Sequence, residues 1–558
     1  MMKYYIYGAG NNLKDVLEQT WFLDIEGIID NDKKKIGSSI NSLNIISAMD
    51  FYGRGLDANE YRIIVSVTNL EYRKQIEKEL CVHGYRYISA ERVCILGGEC
   101  LPGGLGGAWR SVPQGYVGRL SADPHSFLVR DKDNRIFRVI KSDMEDVEKR
   151  IVQKCQTYDL FGTYIVESWV KTDIPGFENQ VLIEHECLKS ISFCFEWPPM
   201  MYEDYVGFMM KLILALNDAG LCLIDGHGLN ATVKNGKFLF YDFGAIGEGV
   251  IEPRLVIEIM NTLVLPLILM KLGKTKKAYF YLSDHNTMMD MRDVLGYLND
   301  EETFKLKRMY EQAIEIESKE DVTKIVENLT GFYRDFNSTH KVSEWEEYQD
   351  SEWDKNSDKT KWTTKMQNVV SMIEKVSPHS IIDIAGNQGW YGASYREKAE
   401  SVIVVDMDYA ALDKLWMRIK RDGLSNVLPV YMPICAPSLG RHFDGFIDGK
   451  TIKPIRESGI NRYKSELAIA LAIVHHLVFR EYLSFEEIIR ILDEYTDKYL
   501  IVEFVDQKDR FIQYFNKTGF EWYTQSGFEH VLKTRFSILD ISASSPEETR
   551  TLYLCEKL

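Results

Sequence analysis

Residues 380–406 constrain this chain more than any other stretch. Ser380-Ile381-Ile382-Asp383-Ile384 is an apolar run of the length of one buried strand. Ala385-Gly386-Asn387-Gln388-Gly389 sets two glycines in a turn, and a helix start follows at Trp390. A second apolar strand, Val402-Ile403-Val404-Val405, ends at Asp406. Strand, glycine turn and an acid closing the next strand are the parts of a nucleoside pocket in a doubly wound sheet. The glycines let backbone pass close to a ligand. A carboxylate at the second strand tip can accept hydrogen bonds from both ribose hydroxyls. A dinucleotide enzyme calls for a G-x-G-x-x-G turn at this point; the chain has Asp383 through Gly389 instead.

Composition narrows the classes. A length of 558 residues predicts two to four domains, and 45% apolar residues suffice for packed cores. A net charge of −16 argues against general binding to nucleic acid or anionic membrane. Nine cysteines, odd in number and without a C-x-x-C pair, suit reduced thiols in a cytoplasm. The start, Met1 to Ile6, runs directly into a strand, so no signal peptide is expected. Ile259 to Leu272 is too short for a membrane span and is interrupted by Asn261 and Pro266, which predicts a buried helix and no transmembrane segment.

The first segment, 1–95, alternates strand and helix: Tyr4–Tyr7, Leu13–Gln19, Ile25–Ile29, Ile63–Val67 and a helix through Leu80. That order predicts a small parallel sheet. With Gly8-Ala9-Gly10 and Asp30-Asn31-Asp32, it resembles the small Rossmann-like domains of some sugar-modifying acyltransferases and methyltransferases. Leu13 stands where the third glycine of the dinucleotide fingerprint would fall, so nucleotide binding and a docking role both stay open. Residues 96–115 are glycine-rich and read as a linker.

The second segment, 116–340, opens with a hairpin, Phe127–Arg130 and Ile136–Lys141, ending in a lysine. Asp225 and Asn230 lie five apart, as in H-R-D-x-x-x-x-N, and Asp242-Phe243-Gly244 copies D-F-G. Phosphoryl transfer needs one carboxylate to orient the nucleophile, here Asp225, and an amide with a second carboxylate to hold magnesium, here Asn230 and Asp242. The segment looks like the protein-kinase and small-molecule-kinase fold. The resemblance implies Lys141 as the phosphate-pairing lysine, Glu145 or Glu148 as its helix partner, and ATP with Mg²⁺ as ligands. Ile224 replaces the arginine before the catalytic aspartate, so a live kinase and a degenerate one both stay open. His227 has no second His or Cys at ligand spacing and reads as a loop residue.

The polar stretch 341–362 fits either a linker or a lid helix. The third segment, 363–558, carries the turn from Asp383 to Gly389, which resembles motif I of class I S-adenosylmethionine-dependent methyltransferases. The resemblance implies that Asp383 holds the turn and faces the methionine amine. It implies that Gly386, Asn387 and Gly389 line the cofactor, that Asp406 takes the ribose and that Asp408 is a lesser candidate. Met432-Pro433 falls where many relatives place an acid near the adenine. His475 and His476 are candidate bases for methyl transfer to an alcohol, His475 the preferred one, and Glu503 is a further cleft candidate.

Residues 185–558 also resemble bacterial nodulation-type methyltransferases in which a kinase-like region comes first. The resemblance rests on Phe195-Glu196-Trp197-Pro198, Trp345-x-x-Tyr348-Gln349, Ala470 to Leu477, Ile501 to Val505 and Thr549 to Leu554. Kinase–methyltransferases that cap bacterial O-polysaccharides combine the same two activities in the opposite order. The expectation is an α/β multidomain cytoplasmic enzyme that uses S-adenosylmethionine on a glycan or small-molecule acceptor, alone or after phosphorylation. A scaffold that recruits glycan enzymes, and a methyltransferase for proteins or small molecules, are the alternatives. Homo-oligomerisation or assembly with glycan enzymes is left open.

Overall fold

A computed structural model describes residues 2–90, 116–119, 126–178, 180–188, 191–283, 288–336, 343–438, 446–447, 450–451, 457–515, 518–546 and 549–558. The glycine-rich stretch expected as a linker lies outside them. The chain is mixed α/β and multidomain, with its longer strands in three sheets.

The N-terminal sheet has the order Ser39–Ile40, Leu43–Ile46, Asp24–Ile29, Lys3–Tyr7, Tyr61–Val65, Arg86–Ser89, parallel throughout except for the small first strand. Alternate residues of Lys3–Tyr7 enter different cores, Tyr4 and Ile6 on one face and Tyr5 and Tyr7 on the other, so the strand is covered on both sides. The strand expected at Ile63–Val67 starts and ends two residues earlier. This part docks on the later helix Asp300–Ile314 through the Phe22–Tyr310 ring pair and on neighbouring loops through Trp21 Nε1 to Asp290 and Arg86 to Glu317.

The middle sheet is antiparallel, Ser168–Lys171, Leu182–His185, Ile136–Ile140, Ser126–Asp131, Tyr116–Arg119. Beyond it, the buried helix Pro199–Asp218 and the hairpin Ala231–Lys234 and Lys237–Phe240 lead to the apolar helix Pro253–Lys271. That helix departs from expectation: it runs through Asn261 and Pro266 and is long and apolar enough, by length and composition, to cross a membrane, with 78% of it buried inside the protein. The physical reason is a π-helical turn at Met260–Val264. A proline has no N–H to give the carbonyl four residues back. Here the buried Tyr202 hydroxyl donates to Thr262 O at 3.3 Å and Leu263 O at 3.1 Å, which satisfies the carbonyls loosened at this point.

The C-terminal sheet has the order Val427–Tyr431, Ser401–Asp406, Ser380–Ile384, Ser465–Ala470, Thr496–Val505, Arg550–Lys557, Phe536–Ala543. The first five strands are parallel and the last two run antiparallel. Ile381, Val402 and Val404 point into one core, Ile382, Ile384, Ile403 and Val405 into another, so these β-branched runs are buried on both faces. Chain order reverses between Ser380–Ile384 and Ser465–Ala470, and ligands of open parallel sheets sit outside the carboxyl ends of strands at such a switch.

The middle and C-terminal parts share a seam. Met200 N–H donates to Asp413 Oδ1 at 2.7 Å, Trp416 Nε1 to Asp204 Oδ2 at 2.7 Å, and the Tyr279 and Tyr431 rings stack at 4.4 Å. Burial pushes the Asp413 carboxyl up to about 8, against the Met200 N–H. Tyr202→Phe should leave the carbonyls beside Pro266 short of a donor and lower stability by about 1–2 kcal/mol, read from urea unfolding.

Candidate functional site

The glycine turn closes over the carboxyl end of Ser380–Ile384 in a strained path. Ala385 has φ 52°, Asn387 φ 53° and Gly389 φ 72°, three left-handed residues in five. Non-glycine residues hold that conformation at a cost and cluster at functional sites. A Cβ on Gly389 would come within 2.6 Å of Val404, and one on Gly386 within 2.8 Å of Asp383 and Val404, so the turn lies flat on the next strand only because both lack one.

Two carboxylates hold the turn. Asp383 is buried and accepts the Gly392 N–H at 2.9 Å; burial pushes its carboxyl up to about 7. Asp406, at the tip of the neighbouring strand, accepts the Asn387 N–H at 2.7 Å on one oxygen and the Asp408 N–H at 2.8 Å on the other. Burial raises it to about 6, opposed by those two N–H groups. Asp408 caps the helix Tyr409–Asp422 by accepting from Ala410 and Ala411 and bonds the Ser343 hydroxyl. Asn387 Nδ2 donates to Trp345 O at 2.8 Å, while its buried Oδ1 has no partner among the described residues. Met432 N–H reaches Asp406 O at 3.1 Å, which sets the Met432-Pro433 loop beside the acid.

The stretch 343–362, open between linker and lid, straps the turn. The fully buried Gln388 donates to Glu346 O at 2.6 Å and Asp350 Oδ1 at 2.7 Å. Trp390 N–H donates to Gln349 Oε1 at 3.0 Å, and Trp353 Nε1 to Gln388 O at 3.1 Å. Lys414 and Arg418 pair with Asp350 from the far side. Burial works against ionising Asp350, but Lys414, Gln388 and Arg418 outweigh it and hold the carboxyl below its usual range.

Across the switch point, Ala472 is again left-handed at φ 51°, just beyond Ser465–Ala470. Its N–H donates to Glu503 Oε2 at 2.8 Å. Glu503 is buried and also holds Lys365 Nζ at 2.7 Å and the Ser544 hydroxyl; burial opposes its charge, yet Lys365 and Ser544 keep the carboxyl below its usual range. Glu503 is therefore a bracket between strands and helix. His475 and His476 follow on Val474–Phe479, ring centroids 4.3 Å apart, with Phe515 against both and Trp345 edge-on to His476 at 5.7 Å. Sequence reasoning expected a base near neutral pKa. Burial, with His476 and Arg550 nearby, instead drives His475 down to about 3, and burial with Arg480 takes His476 to about 4, so both are uncharged at pH 7. His475 is 4% exposed and its Nδ1 has no partner among the described residues.

In the middle part, the Tyr241 N–H bonds Asn230 O at 2.8 Å, so Asn230 and Asp242 emerge from one end of the hairpin. Asn230 is buried, and Asp225 lies on the loop before it with His227 Nε2 3.3 Å from its carboxylate. Asp242 accepts the Gly244 N–H and, at 3.0 Å, Arg138 Nη2. Lys141 follows the strand Ile136–Ile140 by one residue and is exposed. The buried cation against Asp242 is thus Arg138, three residues earlier in the strand, and Glu148 is buried on Glu145–Thr157 while Glu145 accepts the Val181 N–H. Among the described residues, no group of three or more His, Cys, Asp or Glu side chains is placed to hold a metal ion.

Sequence reasoning missed Arg138 and Lys365, and left the strap open between a linker and a lid. A charged residue at an alternating strand position, as Arg138 is within Ile136-Phe137-Arg138-Val139-Ile140, was the available signal for the first. Nothing local marks Lys365, whose partner lies 138 residues on.

No protein-family model matches the chain. Nodulation protein NoeA of Rhizobium meliloti (strain 1021) is 25% identical over 202 residues, 36% of this chain and 40% of that protein, so the match spans well under two thirds of its relative. Among solved structures, the N-methyltransferase NodS of Bradyrhizobium japonicum WM9 aligns at 10% identity and TM-score 0.25, over 34% of this chain and 93% of that one. The magnesium protoporphyrin IX methyltransferase ChlM of Synechocystis PCC 6803, with bound S-adenosylhomocysteine, aligns at 12% and 0.27 over 38% and 96%. The bifunctional kinase-methyltransferase WbdD aligns at 15% and 0.26 over 36% and 41%. Likeness at this level identifies neither an activity nor an acceptor.

Lys365→Met should leave the Glu503 charge buried without its cation and destabilise the protein by about 3–5 kcal/mol, measured by urea unfolding.

Proposed function

We propose that the C-terminal part is an S-adenosylmethionine-dependent O-methyltransferase acting on a hydroxyl of a glycan or glycan precursor. One observation carries this reading: the glycine turn is clasped to Asp406 at the switch point, and beside the clasp the buried Asn387 Oδ1 has no partner among the described residues, in place for a hydrogen-bond donor. Asp406 holds the ribose hydroxyls, Asp383 orders the turn next to the methionine moiety, and Gly386 and Gly389 let backbone face the cofactor. The bound cofactor supplies an electrophilic methyl group. His475 and His476 are uncharged at pH 7 and, with burial driving them this low, too weak to hold a proton as bases; their part is to line the acceptor side of the cleft, and the proton of the acceptor hydroxyl leaves to solvent. Trp345, Tyr348 and Phe515 near the histidines offer aromatic surface for the apolar face of a sugar ring. The curated relative is named a nodulation protein. Every described cysteine is free of disulfides, which suits a cytoplasmic enzyme.

A second reading concerns the middle part: a nucleotide site for ATP with Mg²⁺, built like a kinase, that phosphorylates the acceptor before methylation. The convergence of Asn230 and Asp242 at one hairpin end favours it, with Asp225 as the nucleophile-orienting acid. Lys141 and Arg138 are its candidate phosphate cations. If it holds, Asp242→Ala abolishes calorimetric binding of Mg-ATP and leaves S-adenosylhomocysteine binding unchanged; wild-type protein that binds no Mg-ATP sinks it.

Calorimetry with S-adenosylhomocysteine tests the first reading. Asp406→Asn should weaken binding roughly tenfold to a hundredfold, the loss of charge-assisted hydrogen bonds. The pH dependence has a definite sign. The ligand hydroxyls need the carboxylate form, and the Asp406 carboxyl is raised to about 6. Affinity is therefore full above that value and falls as pH drops through it, to about one tenth at pH 5. Asp406→Asn should remove the fall between pH 6 and 5 and leave only what Asp383, raised to about 7, contributes at higher pH.

A further inference from the structure

The motif Phe195-Glu196-Trp197-Pro198 has no part in the chemistry above, yet Glu196 is 1% exposed and sits at the centre of a buried polar cluster in the seam. Its carboxylate accepts from Ser438 Oγ, from both terminal nitrogens of Arg462 and from the Tyr463 hydroxyl. Arg462 also donates to Ile191 O at 2.7 Å and to Ser438 Oγ at 2.8 Å, and it lies over the Phe193 and Tyr463 rings, 4.6 Å from each centroid.

Ser438 belongs to the loop after Val427–Tyr431. Its N–H lies 3.4 Å from Met432 Sδ, and Met432 N–H bonds Asp406 O at 3.1 Å. Gly459 N–H reaches Ser438 O at 2.8 Å; a Cβ there would meet Met432 Sδ at 2.6 Å and Ser438 Oγ at 2.7 Å, so the glycine lets the helix Gly459–Tyr463 close on the loop. A continuous chain of contacts thus runs from Glu196 of the middle part through Ser438 and Met432 to the backbone of Asp406.

We propose that Glu196 and Arg462 are positioning residues for the cofactor: the middle part pins the 432–438 loop against Asp406 and so sets the affinity of the adenosine side of the cleft. This rests on the methyltransferase reading. It gives the middle part a task that needs no phosphotransfer, because a carboxylate held by arginine, tyrosine and serine is rigid and has no freedom to follow a displaced loop.

The test uses the full chain. Ser438→Ala removes the direct side-chain bond from Glu196 to the loop, leaves the Glu196–Arg462 pair and the Gly459 N–H to Ser438 O bond in place, and should raise the S-adenosylhomocysteine Kd about tenfold with the melting temperature nearly kept. Amide exchange across 432–438 should quicken in the same variant. Glu196→Gln should act likewise if it folds; if it does not, Ser438→Ala alone decides. Asp204→Ala cuts the seam contact to Trp416, which leads to the helix Tyr409–Asp422 and not to the 432–438 loop, and should leave the Kd within twofold. Wild-type protein that binds the ligand while Ser438→Ala binds it equally well overturns the positioning role and spares the methyltransferase reading. An equal loss in Asp204→Ala also overturns it, since the seam would then act without the 432–438 loop. Wild-type protein that does not bind the ligand overturns both.

Discussion

One hydrogen bond organises the C-terminal part: the Asn387 N–H to the Asp406 carboxylate. It joins the turn after one strand to the tip of the next, and it can form only because Gly386 and Gly389 let the turn lie on Val404. The other carboxylate oxygen fixes the Asp408 N–H, and Asp408 then caps the helix Tyr409–Asp422. The carbonyl of Asp406 accepts Met432, the start of the next loop. Four elements at the switch point therefore take their positions from a single acidic residue.

The N-terminal sheet repeats the clasp. Ala9 N–H donates to Asp30 Oδ2 at 2.7 Å and Asp32 N–H to Asp30 Oδ1 at 2.8 Å, the same two-oxygen arrangement after the same kind of glycine turn. The difference is Lys35, whose ammonium bonds Ala9 O at 2.9 Å and stands 3.5 Å from Asp30. A cation so placed supplies the donor that ribose hydroxyls would supply at Asp406. The clasp is thus a property of strand–turn–strand geometry, and what it binds is decided by the side chains around it.

What could be read from the sequence follows the range of the interactions. Asp383, the glycines and Asp406 lie within one strand–turn–strand unit, so their spacing reports their geometry directly. The hairpin that brings Asn230 beside Asp242 is also local. The bracket of Lys365, Glu503, Ser544 and Ala472, the pairing of Arg138 with Asp242, and the strap over Gln388 join residues far apart in the chain, and no periodicity encodes them. Pro266 misled for another reason: a π-helical turn at Met260–Val264 precedes its ring, and Tyr202, from a different helix, donates to the carbonyls loosened there.

The central claim is that the clasp at Asp406 forms the floor of an S-adenosylmethionine cleft. Ultraviolet crosslinking of the full chain with methyl-labelled S-adenosylmethionine, followed by peptide mapping, tests it most directly. The expected result is label confined to peptides carrying 385–408, the strap residues 345–349, the 432–438 loop and 472–476, competed away by S-adenosylhomocysteine. Label on peptides elsewhere, or none above the level of denatured protein, would contradict it.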